Sequence, residues 1–84
     1  MRIMKVRVIL FARIRELAGS GAIELELDEG ATVADLRQRL ADHIPGIRQI
    51  LDRSAIAINE DFATNSEPIP AGAELACIPP VSGG

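Results

Sequence analysis

Residues 32 to 46, TVADLRQRLADHIPG, carry the main helical pattern of this chain, and what lies on either side of them sets the fold. Thr32 and Asp35 stand three apart at its start. The Thr32 hydroxyl can therefore accept an early helix amide, while the Asp35 carboxylate favours the positive helix end. Val33, Leu36 and Leu40 recur along one stripe, Arg37, Gln38 and Asp42 point elsewhere, and Pro45-Gly46 stops the run. A helix with one apolar stripe needs a sheet or another helix to cover it.

The flanks supply the sheet. Ahead of the helix, Ile23, Leu25 and Leu27 alternate with Glu24, Glu26 and Asp28, the pattern of a half-buried antiparallel strand. Gly19-Ser20-Gly21 links that strand to a short helix over Ala12 to Ala18, which Gly19 ends in a left-handed cap. Before it, Met4 to Phe11 also alternate: Val6, Val8 and Leu10 share one face, Lys5, Arg7, Ile9 and Phe11 the other. Beyond the main helix, Ala55 to Asn59 reads as a short strand and Asn59-Glu60-Asp61 as a turn. Pro68 to Ala73 reads as a loop, and Glu74 to Ile78 as a last strand before Pro79-Pro80 ends pairing. This order predicts an α+β protein of the β-grasp type, a mixed sheet of four to five strands wrapped round one main helix. Residues 1–78 are expected to form the domain and 79–84 a flexible C-terminal tail. In this order the first and last strands can be neighbours, which makes the last strand central.

Size and composition narrow the function. Burial scaling lets a chain of 84 residues hide only roughly 60 to 65% of its unfolded surface, so its apolar residues are needed for one core. Function is expected on the surface or at an end. The net charge of −3, with both signs interspersed, gives no positive field to gather phosphates, and Phe11 and Phe62 are the only aromatic residues. Nucleic acid is therefore set aside as a partner. No run reaches the roughly 18 apolar residues of a membrane span, and no basic-then-apolar leader opens the chain. With a single cysteine, Cys77, the expectation is a cytoplasmic protein without disulfide or membrane partner.

The ending Ile78-Pro79-Pro80-Val81-Ser82-Gly83-Gly84 is the most specific feature. Prolines stiffen the exit, while glycines carry no side chain to clash in a narrow channel. Six residues span at most about 20 Å, enough for the terminal carboxylate to reach a centre buried in another protein. A Gly-Gly ending alone is also what a featureless terminus gives. The Pro-Pro-Val-Ser approach on a β-grasp pattern sets this one apart.

With that ending, with Phe11-Ala12-Arg13-Ile14-Arg15-Glu16-Leu17-Ala18-Gly19 near the start, and with Gly30-Ala31-Thr32-Val33 at the helix entry, the chain resembles the small sulfur-carrier subunit of molybdopterin synthase, a ubiquitin-like β-grasp family. The likeness covers nearly every residue. It implies that Gly84, preceded by Gly83, is adenylated by a ubiquitin-activating-like adenylyltransferase that uses ATP. A sulfur donor system then makes the thiocarboxylate. It further implies that the tail enters the large catalytic synthase subunit, in a heterotetramer, and that two sulfur transfers turn a cyclic pyranopterin phosphate precursor into the molybdopterin dithiolene. On this reading the chain is a non-catalytic, sulfur-carrying subunit that binds no cofactor itself. Ala73, where the family commonly has Asp, and Cys77, in place of a larger apolar residue, depart from the pattern without touching the tail.

Strand parity adds a docking surface. Ile9 and Phe11 face away from Val8 and Leu10, and Ile78 faces away from Leu75 and Cys77. With Phe62 these residues would form an apolar patch beside Pro79, Pro80, Val81 and Ser82, suited to both partners. The competing reading is single apolar residues scattered over the surface. Other candidates carry no chemistry. Cys77 lacks a histidine nearby in sequence and reads as a small buried hydrophobe. His43 suits the helix C-terminal dipole, and one histidine with one cysteine makes no zinc site. Gly19-x-Gly21 has Glu24 where a dinucleotide loop needs a third glycine. Glu24 with Glu26, and Arg37 with Arg39, read as solvated faces.

Two other roles fit a β-grasp chain with this end: sulfur carriage for thiamine thiazole synthesis, and a ubiquitin-like modifier joined through Gly84 to lysines of other proteins. A binding module without terminal chemistry is the third. Cellular conjugates separate the modifier from the carriers, and indifference to loss of Gly83 and Gly84 would mark the binding module.

Overall fold

Alternation in the first strand divides its residues between two environments. In the computed structural model, which describes residues 2–80, Met4, Val6, Val8 and Leu10 of β1 (Ile3–Leu10) are buried, while Lys5 and Arg7 are exposed. β1 pairs antiparallel with β2 (Ala22–Asp28), setting Val8 opposite Ile23 and Val6 opposite Leu25, so the apolar sides of both strands coincide. Between them runs α1 (Ala12–Ala18). It closes at Gly19, whose φ of 73° lets its amide donate to the Arg15 and Glu16 carbonyls that the helix leaves without partners.

The capping pair of the main helix forms in full. The Asp35 amide donates to Thr32 Oγ1 at 3.4 Å and the Thr32 amide donates to Asp35 Oδ2 at 2.9 Å, opening α2 (Val33–His43). Val33, Leu36 and Leu40 are buried against the sheet. Each such side chain contributes roughly 1.5 to 3 kcal/mol by leaving water. The helix ends before Pro45, and Gly46 turns the chain at φ 82°.

A third helix, α3 (Arg48–Asp52), has no counterpart in the sequence pattern. Its five residues are too few to show a period, and it is held from outside. Arg37 corrects the solvated-face reading given to it with Arg39. Its guanidinium is half-buried, donating Nη1 to the Leu51 carbonyl (2.7 Å), Nη2 to the Ser54 carbonyl (2.8 Å) and Nε to Asn65 Oδ1 (2.8 Å). The end of a short helix exposes carbonyls that lack intrahelical donors, and Arg37 meets one of them while tying α3 and the loop at Asn65 to α2. Arg39 is exposed as expected.

The sheet has five strands in the order β2-β1-β5-β3-β4, with β3 (Ala55–Ile58), β4 (Asp61–Ala63) and β5 (Glu74–Ile78). β1 and β5 run parallel and every other neighbouring pair runs antiparallel, giving the mixed β-grasp sheet. β5 is the central strand, and its Leu75 and Cys77 lie in the core with Leu36, Leu40 and Ile56. Among the described residues no helix is long and apolar enough to cross a membrane.

Candidate functional site

Because β5 lies between β1 and β3, its outward residues reach the middle of the sheet face that the helices leave open. Ala76 is in register with Ile9 of β1 on one side and Ala57 of β3 on the other, and Ala57 is in turn in register with Phe62 of β4. Ile9, Ala76, Ala57 and Phe62 thus form one row across four strands. Ile78 and Phe11 continue the apolar surface toward the end of the sheet where the chain leaves β5. Phe62 is 75% exposed and Phe11 44% exposed, an unusual state for the only two aromatic residues of the chain.

The row is concave for a simple steric reason. Two alanines occupy its centre while isoleucine and phenylalanine stand at its ends. The result is a groove of about 300 Å³. Ala57 is only 4% exposed although it lies on the open face, because its taller neighbours cover it. Glu60 and Glu74 form the rim at the end away from Ile78.

The structure therefore brings Phe11, Phe62 and Ile78 together, with Ile9, around one groove. Pro79, next to it, is buried, and Pro80 is exposed. Val81, Ser82, Gly83 and Gly84, the remaining tail residues singled out from sequence, lie outside the described residues. Sequence reasoning missed the groove floor, Ala57 and Ala76, and its acidic rim. The alternation Ile56-Ala57-Ile58 could have placed Ala57, but four residues make a weak periodic signal.

A larger hollow of about 660 Å³ lies at the opposite end of the sheet, between Ile3, the Asp28-Glu29-Gly30 turn and the Asp35 and Arg39 side of α2. It is far from the tail exit, since Ile3 begins β1 and Leu10, which is paired with Cys77, ends it. Elsewhere on the open face the charges alternate across strands, Lys5 opposite Glu26 and Arg7 opposite Glu24, as befits a solvated surface.

Cys77 is fully buried, and burial pushes its thiol up to about 11, against the opposing pull of Arg37 and a hydrogen bond with Ser54. A thiol in that state supplies almost no thiolate near neutrality, so it packs and does not attack. His43 is exposed in the last turn of α2, where a cation suits the helix dipole.

Residues 8–84 match the ThiS family. The molybdopterin synthase sulfur carrier subunit of Arabidopsis thaliana is 35% identical over 81 residues, covering 96% of this chain and 84% of that protein. The subunit of the same name from Escherichia coli (strain K12) is also 35% identical over 81 residues, covering 94% and 99%. The crystal structure of small archaeal modifier protein 1 from Haloferax volcanii superposes with a TM-score of 0.85 at 30% identity, covering 93% of this chain and 99% of that one.

Proposed function

The chain belongs to the ThiS family, and from that membership we propose that it is the sulfur carrier subunit of a molybdopterin synthase, acting through the terminal carboxylate of Gly84. The observation that carries this reading is the placement of β5. The central strand hands the chain to Pro79-Pro80 beside an exposed apolar groove, and the sequence then ends Val81-Ser82-Gly83-Gly84. A rigid body that docks by the groove can hold the tail's root in place while its end reacts elsewhere.

The chemistry divides between this chain and its partners. A Gly84 carboxylate oxygen attacks the α-phosphorus of ATP in the activating adenylyltransferase, and pyrophosphate leaves. A sulfide equivalent from the donor system then displaces AMP, giving the thiocarboxylate. In the large synthase subunit the thiocarboxylate sulfur bonds to a carbon of a cyclic pyranopterin phosphate precursor, and water then cleaves the acyl C–S bond, leaving the sulfur on the precursor and returning Gly84 to a carboxylate; two such transfers complete the dithiolene. This chain supplies the carried group and the docking surface. Acids, bases and substrate contacts belong to the partners, and so does ATP binding.

The test is to add one residue after Gly84. Sulfur loading by the activating enzyme with ATP and a sulfur donor is expected to be abolished, with unfolding temperature unchanged, because the reactive carboxylate is displaced. Normal loading of the extended chain would overturn the mechanism.

One observation favours a second reading. The structural likeness to a protein named a small archaeal modifier is as close as any carrier reading could ask, so joining of Gly84 to lysines is a distinct use of the same tail. A ladder of Gly84-linked proteins in native cells would establish it. Sulfur carriage for thiazole synthesis shares the thiocarboxylate and differs only in the acceptor.

A further inference from the structure

The turn that borders the groove is built against the preference of its backbone. Asn59 and Glu60 join β3 to β4 with φ values of 49° and 74°, so both central residues of a two-residue hairpin are left-handed. Such turns favour Asn-Gly, because glycine alone enters this region without a side-chain penalty. Asn59 has a reason to be there. Its Oδ1 accepts the Glu74 amide at 3.0 Å and its own amide donates to the Glu74 carbonyl at 2.8 Å, which locks the hairpin onto β5. Glu60 has no such anchor among the described residues. Among the described residues its carboxylate forms neither an ion pair nor a hydrogen bond, and the same holds for the Glu74 side chain. A strained backbone thus holds a free charge at the lip of an apolar groove, where glycine would fold more easily.

The charge pattern says what could cover this face. On the β2 side the acids Glu24 and Glu26 lie opposite Arg7 and Lys5, but Glu60 and Glu74 at the groove have only Arg7 in register with one of them. A second copy would set Glu60 and Glu74 against their own kind on a chain of net charge −3. We propose that the groove receives an apolar side chain flanked by lysine or arginine on the large synthase subunit, and that Glu60 and Glu74 select this partner segment by charge. This inference rests on the carrier reading above. The alanine floor provides the fit and the two carboxylates the register, so loss of either charge weakens docking without disturbing the core.

The experiment titrates the full chain against the purified large synthase subunit of the same organism, at low and high salt, for wild type, Glu60→Gly, Glu60→Lys and Glu74→Lys. Each lysine variant is expected to weaken binding by about tenfold at low salt, with the difference shrinking at high salt as screening sets in. Glu60→Gly is the sharper probe: it should raise the unfolding temperature by about 4 °C through relief of backbone strain, yet bind more weakly. Variants that bind as tightly as a binding-competent wild type overturn this inference and leave the carrier reading standing. A wild type that does not bind the subunit at all, at either salt, overturns the carrier reading and this inference with it. Tighter binding by the lysine variants, or a wild-type self-dimer, also overturns it.

Discussion

The two faces of one sheet are made from alternate residues of the same strands, yet they are under opposite demands. On the inner face Val8, Leu10, Ile56, Leu75 and Cys77 are buried in the core with Leu36 and Leu40 of α2. On the open face, one residue along, Ile9, Phe11, Ala57, Phe62, Ala76 and Ile78 make a concave apolar surface that no element among the described residues covers. The inner face is explained by stability alone. The open face is not, since two phenylalanines in water contribute little to folding and cost solubility. Period two lets a short chain spend one side of each strand on its core and the other on recognition, and centring β5 puts the root of the tail where the two meet.

Substitutions of matched size should separate the faces. The largest effect is expected from Leu36→Ala, which opens a cavity under the sheet and should lower the unfolding free energy by about 2 to 5 kcal/mol, measured by urea denaturation. A loss below about 1 kcal/mol would mean that α2 does not pack as described.

Next comes the inner-face thiol. The pKa of Cys77 rises from 9.0 to about 11 on folding, so between those values the unfolded chain releases a proton that the folded chain keeps. Stability therefore falls as pH climbs from about 9, by roughly 2 to 3 kcal/mol once both values are passed. Cys77→Val, compared by its pH dependence and not by its absolute stability, should flatten that decline. An unchanged slope would show that the thiol is not buried in the folded state.

The smallest effect on folding is expected at the opposite face. Phe62→Ala should change stability by less than about 0.5 kcal/mol while weakening capture of the large synthase subunit at least about tenfold. A destabilisation like that of Leu36→Ala would erase the distinction between the faces.

Much of this division is legible in the sequence. The alternation in Met4 to Phe11, the Thr32–Asp35 cap and the left-handed Gly19 are local signals, set within a few residues, and each forms as expected. Parity put Ile9, Phe11 and Ile78 on one side of their strands, and Phe62, added from the neighbouring segment, lines the same groove. What escaped depends on contacts distant in sequence. α3 needs Arg37 from another helix, so the same guanidinium that looks solvated in a charge pattern is a tether in the fold. The groove floor needs Ala57 and Ala76 from separate strands to meet, and the strain at Glu60 needs a backbone angle that no residue type announces. The tail was the plainest signal in the sequence, because the chemistry proposed for it depends on residue type at a chain end and not on packing.

The central claim is that Gly84 carries sulfur. Its most direct test is the intact mass, followed by C-terminal peptide fragmentation, of the protein isolated from its native cells, with exact mass separating sulfur substitution from oxidation of Met1, Met4 or Cys77. The account predicts sulfur in place of one oxygen, confined to Gly84. An unmodified terminus, even after incubation with the activating enzyme, ATP and a sulfur donor, would contradict it.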